Sequence, residues 1–198
     1  IRLNDNLFKL LKLQSAENLS PEVEARWQLV ETAWELDISR DLIAVKHDSE
    51  TENFFVSHQN RRVDVTSSRD ALNGYQKSKC FYCFDYVSVI SGSLFLADVD
   101  HFFPHMLKPH LNNCNLDGVW NLVLSCVECN RSSGKSSKIP SLSLVQRLNR
   151  RNEYLISSNH PLKETIIRQT GKNSRERARF IQSVIDDSSP LGRPSWEP

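Results

Sequence analysis

The chain has 198 residues, 39 % of them apolar and 25 % charged, with a formal net charge of +1. This is the composition of a soluble globular protein, one ordinary domain with appendages or two small ones. No apolar run approaches the length that spans a bilayer, and no signal-peptide pattern opens the chain, although a start at Ile1 rather than Met is compatible with a fragment.

Residues 1–15 place Leu3, Phe8, Leu10, Leu11 and Leu13 at helical spacing. Ser20 and Pro21 mark a second helix start, as N-cap and first helical residue. Val23, Trp27, Val30, Trp34 and Ile38 follow at steps of three and four, with Glu22, Glu24, Glu31 and Glu35 on the other face. The spacing predicts a scaffold helix with its tryptophans in the core. Residues 42–45 and 54–56 are short β-type runs around a polar stretch, which predicts a hairpin, and residues 61–65 read as a further extended piece. His47 and His58 in this region read as surface residues. Residues 66–70 then cap a helix that runs through Ala71, Leu72 and Tyr75 and delivers Cys80.

Two β-rich runs, 86–90 and 94–99, flank the turn Ser91-Gly92-Ser93, and the second ends in Asp100-His101. Residues 104–119, with Pro104, Pro109 and Asp117-Gly118, read as a long irregular loop. Asn121 to Leu124 is strand-like, and a short helix is expected from Cys129, interrupted near Gly134. The remainder predicts helices around Leu142–Tyr154, Leu162–Thr170 (ended by Gly171) and Ser174–Asp186, then a tail at 190–194. The fold class expected is α+β. Its divisions are an acidic helical and hairpin region at 1–60, a core at 61–140, and basic helices with a tail at 141–198.

The chemistry concentrates between Lys79 and Lys138. Cys80-Phe81-Tyr82-Cys83 and Cys126-Val127-Glu128-Cys129 are two Cys-x-x-Cys pairs, and each gap lets one tight turn present two thiolates to a tetrahedral zinc ion. Cysteines used in this way suit a reducing compartment, so the cytoplasm is expected; the fifth, Cys114, reads as a partly buried thiol. Between the pairs, Asp100 is a ligand type for a hard divalent cation and His101 a residue type for taking a proton near neutral pH. Asn130 follows the second pair at once, where an amide oxygen could complete a metal site with Asp100. Asn121 could hydrogen-bond a neighbouring loop or an imidazole. Arg131, Lys135 and Lys138 add cations. A metal, a base and a basic surround are what phosphodiester hydrolysis requires.

Charge distribution points the same way. Residues 1–60 carry 6 Lys/Arg against 11 Asp/Glu, a net of −5, whereas residues 131–179 carry 12 against 3, a net of +9. That asymmetry fits a basic face for nucleic acid, and equally a solvated helical surface.

Cys-x-x-Cys, then Asp-His-x-x-Pro, then Asn-Leu-x-x-x-Cys-x-x-Cys-Asn, in that order over residues 75–139, resembles the HNH endonuclease family. The resemblance implies a ββα-metal core stapled by structural zinc on Cys80, Cys83, Cys126 and Cys129. It implies His101 as general base, Asp100 and Asn130 as ligands of a catalytic Mg²⁺ or Mn²⁺, and Asn121 as the group that orients the base. Arg131, Lys135 and Lys138 would then contact DNA phosphates. The implied reaction is hydrolysis of DNA to 3′-hydroxyl and 5′-phosphate ends. The family's usual company suggests the effector of a prokaryotic defence or restriction system, with the acidic N-terminal region available to a protein partner and an oligomer open. The chain departs from the family name in ending the signature on Asn130 rather than His, and in the length of the 104–120 stretch, which holds His105 and His110 and in which His105 alone is kept as a candidate substitute ligand. The alternatives are a zinc-stapled nucleic-acid-binding or assembly module without catalysis, and an RNA nuclease.

Overall fold

The computed structural model describes residues 5–12, 19–35, 45–58, 61–111, 114–131, 134–158, 160–189 and 195–198. The chain is mixed helix and strand, with three small sheets among the described residues. After α1 (Asp5–Leu11), α2 (Leu19–Glu35) packs against α3 (Ser68–Gln76) and against an antiparallel sheet of β1 (Val45–Asp48), β2 (Asn53–His58) and β3 (Arg61–Ser67). The expected hairpin is β1–β2, paired Val45 with Val56 and His47 with Phe54, and the extended piece after it is β3. Val45, Phe54 and Val56 alternate inward along their strands and are buried. The expected strand residues 42–44 and the expected tail at 190–194 lie outside the described residues.

The face that α2 buries differs from the one Trp27 suggests. Trp27 is 47 % exposed and donates its indole N–H to Glu31, and Val23 is exposed too. Among the described side chains of α2, the inward residues are Glu22, Ala25 and Leu29, one turn-spaced stripe. Glu22 sits there because Lys77 and Arg26 pair with it, against Gly74 of α3, where a larger residue would meet its side chain.

The 86–99 stretch also departs from expectation. Up to Ala97 it makes only the isolated bridges Lys79–Tyr86 and Ser88–Leu96, and Tyr86, Ile90, Leu94 and Phe95 are exposed, Leu94 to 96 %. These apolar residues find no sheet face to cover, so β propensity alone does not make them strands. The strand is β4 (Asp98–His101), antiparallel to β5 (Leu122–Ser125) with Asp100 opposite Val123 and His101 opposite Leu122. Between them the expected irregular loop contains 3₁₀ turns at His105–His110 and Val119–Asn121. The short helix α4 (Val127–Asn130) follows β5, beginning one residue after Cys126 rather than at Cys129.

The C-terminal helices form as their periodicity predicts: α5 (Leu142–Ser157), α6 (Lys163–Thr170) and α7 (Ser174–Ser188), with Gly171 ending α6. β6 (Ile139–Pro140) pairs in parallel with β7 (Ser195–Trp196). Much of their positive charge is used internally. Arg151 is buried and donates to the carbonyls of Val119, Trp120 and Leu122; burial lowers its pKa to about 10. Arg147 donates to the carbonyls of Phe81 and Tyr82 at 2.7 and 2.8 Å. Arg177 forms a bidentate pair with Glu153, both bonds 2.6 Å. The basic run therefore holds the centre of the molecule together as well as charging its surface. The shared core centres on Trp120, Tyr82, Phe102, Phe103, Leu122 and Leu124. No helix among the described residues is long and apolar enough to cross a membrane.

Candidate functional site

β4 carries the chemistry, and three groups of side chains are arranged around it. The first is the cysteine cluster. Left-handed backbone at Lys77 and Ser78 turns the chain out of α3, and the amide of Gln76 binds both the N–H and the C=O of Leu124, tying that turn to β5. The tight turn after Cys80 has its Phe84 amide bonded to the Cys80 carbonyl and the amides of Tyr82 and Asp85 directed at Cys80 and Cys83 sulfur. The Sγ atoms of Cys80, Cys83, Cys126 and Cys129 all lie within 4.8 Å of one another, and no disulfide forms. Cys83 and Cys126 Sγ are 3.8 Å apart, and two thiolates on one tetrahedral zinc, with Zn–S bonds of about 2.3 Å, stand about 3.8 Å apart. Burial and the neighbouring sulfurs push the Cys83 thiol up to about 12 and raise those of Cys126 and Cys129. Four thiols gathered this way suit a metal ion such as zinc, whose charge reverses that preference.

The second group lies on one face of β4. Asp98 and Asp100, two residues apart, share that face, as strand alternation requires. Asp100 is buried, its Oδ2 accepting from the Tyr82 hydroxyl at 2.5 Å and its Oδ1 lying 3.1 Å from Lys135 Nζ. Burial pushes the Asp100 carboxyl up and the Lys135 ammonium down, each offset by the other's charge. Lys135 is only 1 % exposed and also donates to the His101 carbonyl at 2.8 Å. It is an interior cation, which does not fit the expected surface contact with phosphate. Asn130 faces Asp98 rather than Asp100, its Nδ2 3.0 Å from Asp98 Oδ2. Arg131 is exposed and grips the same carboxylate through Nε and Nη2, at 3.0 and 2.9 Å. Lys138 donates to the Gly134 carbonyl at 2.9 Å.

The third group is on the opposite face, where His101 points. Its Nε2 is buried and lies 3.3 Å from Asp117 Oδ1 without the alignment of a hydrogen bond. His105 Nε2 is 3.0 Å from the same oxygen, and Lys108 Nζ is 2.8 Å from Oδ2. The His101 ring is 3.7 Å from that of His105 and 5.8 Å from that of His47. Burial, then the neighbouring His105, pushes the His101 pKa down to about 3, so its imidazole is neutral at pH 7. Burial tends to raise the Asp117 pKa, but Lys108 and the two histidines hold it below the usual range.

Asn121 joins the groups without touching the imidazole. It is buried, its Oδ1 accepting from the Phe103 amide at 2.8 Å and its Nδ2 donating to the carbonyls of Phe103 and Leu116. Of the two roles open to it, the structure shows the loop clamp: it fixes the backbone on either side of the excursion that carries His105 and Asp117. His110 is exposed at the end of the 3₁₀ turn, and no contact recorded among the described residues brings it to His101.

Sequence reasoning passed over Asp98 and Asp117 and read His47 as a surface residue, whereas both its ring nitrogens are buried and its ring lies beside that of His101. Asp98 had a signal, the two-residue period of a strand ending in Asp100. Asp117 reaches His101 only through the folded excursion, and His47 comes from a different sheet, so neither has a local signature.

No family model, curated protein or solved structure matches this chain.

Proposed function

We propose that the chain is a metal-dependent endonuclease of the HNH type that hydrolyses DNA phosphodiester bonds, built on β4, β5 and α4 as a ββα-metal core. The observation that carries the reading is the composition of β4: a neutral buried imidazole at His101 beside an acid pair, Asp98 and Asp100, that meets Asn130. The cysteine cluster belongs to the same unit, since Cys126 caps α4, Cys129 lies within it, and the Cys80 turn bonds to β5 through the Phe81 amide and the Leu124 carbonyl.

The oxygens of Asp98, Asp100 and Asn130 form a donor set for Mg²⁺ or Mn²⁺. Asp98 Oδ2 and the Asn130 amide end are 3.0 Å apart, and neighbouring oxygens on an octahedral Mg²⁺, with bonds of about 2.1 Å, are also about 3.0 Å apart. The Asn130 oxygen takes that position after a half-turn of its amide, which exchanges Oδ1 and Nδ2. When bound, such a cation supplies charge neutralisation at the phosphate and leaving oxygen. His101, neutral at pH 7, accepts the proton of the attacking water. Asn121 holds the residues after His101 in place, Lys135 fixes the His101 carbonyl and neutralises Asp100, and exposed Arg131 turns from Asp98 toward phosphate. Positioning of this kind is what a hydrolytic site needs before charge develops.

The second reading, a zinc-stapled binding or assembly module, is favoured by the closed pair of Lys135 and Asp100. The two separate in a supercoiled-plasmid assay of wild-type and His101→Ala protein with EDTA, Mg²⁺ or Mn²⁺. The nuclease reading expects metal-dependent nicking or linearisation that falls at least about 10²-fold in the variant. Equal cleavage by the variant, or none by folded, zinc-loaded wild type that binds DNA, overturns it. An RNA of matching sequence offered in parallel tests the choice of nucleic acid.

A further inference from the structure

We propose that His101, His105 and Asp117 form a second metal site, selective for a borderline divalent cation of the zinc class and separate from both the thiolate cluster and the acid face of β4. Three protein donors converge there. His101 Nε2 and His105 Nε2 stand 3.3 and 3.0 Å from one shared atom, Asp117 Oδ1. All three donor atoms lie within 4.8 Å of one another. Donors on a tetrahedral zinc with bonds of about 2.0–2.1 Å are separated by about 3.3–3.4 Å, so both short separations are close to the required ones.

Two further observations point to a ligand rather than to a self-sufficient hydrogen-bond network. His101 Nε2 is buried with no hydrogen-bond partner, although the His101 side chain retains only 12 % exposure. A buried imidazole nitrogen close to a carboxylate yet unbonded to it is a costly arrangement unless something fills the position between them. His47, whose ring is 5.8 Å from that of His101, has both nitrogens buried and without a partner. It approaches from the sheet of β1 to β3, outside the three converging donors, as a partner for a metal-bound water. Lys108 occupies only the other Asp117 oxygen, which fixes the carboxylate and leaves Oδ1 free for the ion. His105 and Asp117 are 43 % and 39 % exposed, so an ion has a path in.

The ligand type sets the preference. Two imidazoles and one carboxylate suit Zn²⁺, Co²⁺ or Ni²⁺, whereas the all-oxygen set of Asp98, Asp100 and Asn130 suits Mg²⁺ or Mn²⁺. The two faces of one four-residue strand thus have different metal preferences. Binding itself does not depend on the nuclease reading. Where that reading holds, the site has a regulatory consequence: an ion on His101 removes the base, so zinc inhibits cleavage supported by Mg²⁺.

The test begins with protein carrying one equivalent of zinc in the cysteine cluster, titrated with Co²⁺ and followed by visible absorption. The expected result is one further Co²⁺ per chain, with ligand-field bands but no thiolate charge-transfer band. Affinity should fall at least tenfold in Asp117→Asn and in His105→Ala, the second being an exposed position whose truncation leaves the core intact. No second equivalent, a spectrum showing only thiolate ligation, or unchanged uptake by both variants overturns the site. Plasmid cleavage in Mg²⁺ with added Zn²⁺ is the second readout. Uptake of Co²⁺ by a protein that never cuts DNA supports the site and overturns the nuclease reading, whereas cleavage without a second equivalent does the reverse.

Discussion

Gly134 lies against the end of α4 so closely that a Cβ there would stand 2.2 Å from the Cys129 carbonyl oxygen and 2.3 Å from that of Glu128. The contact folds the chain back over the cysteine cluster, with the Lys135 amide bonded to the Cys129 carbonyl and the Ser136 amide to that of Asn130. Both obstructing atoms are backbone, so nothing flexible can yield. Gly134→Ala should therefore cost about 2–3 kcal/mol of stability and accelerate zinc loss. Chemical denaturation and a chelator-competition assay check this; wild-type values for both would show that α4 can move aside.

Cys126 supplies a thiol to the cluster and is also the N-cap of α4. Cys126→Ser should reduce bound zinc to below one equivalent and melt the β4–β5–α4 unit, because binding and folding of such a site are linked. Metal analysis with circular dichroism decides it. A stable variant that still holds a full equivalent of zinc would refute the structural assignment.

Tyr82 is buried, with its ring 5.1 Å from that of Trp196 and its hydroxyl on Asp100. Tyr82→Phe keeps the packing and leaves a buried carboxylate oxygen without its donor. The expected cost is about 1–3 kcal/mol by urea unfolding, against less than about 0.5 kcal/mol for Tyr86→Phe on the exposed loop.

His160 is buried away from the site, its Nδ1 accepting from the Leu162 amide, and burial lowers its pKa to about 3. The sign follows from proton uptake: below pH 6.5 the unfolded chain takes a proton that the folded chain refuses, so stability falls as pH drops from 6.5 toward 3. At pH 5 the loss is on the order of 2 kcal/mol. His160→Asn keeps an acceptor for the Leu162 amide and cannot titrate. Its melting temperature should gain on the wild type between pH 7 and pH 5. Parallel curves for the two proteins would contradict this assignment.

Local regularities made much of this molecule legible. The paired cysteines, the acid-histidine step at the end of β4 and the periodic α5 to α7 each write their structure into a short window. Failures arose where tertiary context decides. Trp27 has core chemistry at core spacing, yet Glu22 occupies the inward face because Lys77 reaches it from α3. Lys135 reads as a surface cation, but the turn at Gly134 carries it inside to Asp100. Strand alternation explains why Asn130 meets the overlooked Asp98 face. Asp117 and His47 reach His101 from a folded excursion and a separate sheet, and no window of sequence contains them together.

The pairing of β7 with β6 has a practical consequence. Trp196 leans on Tyr82 and shares a surface hollow with Cys83, Cys126 and Cys129, while Glu197 accepts from Ser141 and Ser143 at the start of α5. Residues 195–198 are thus a cover over the sulfur cluster. Replacing Trp196 and Glu197 by alanine should leave the thiols more open to alkylating reagents and oxygen, seen as faster thiol alkylation than in the wild type.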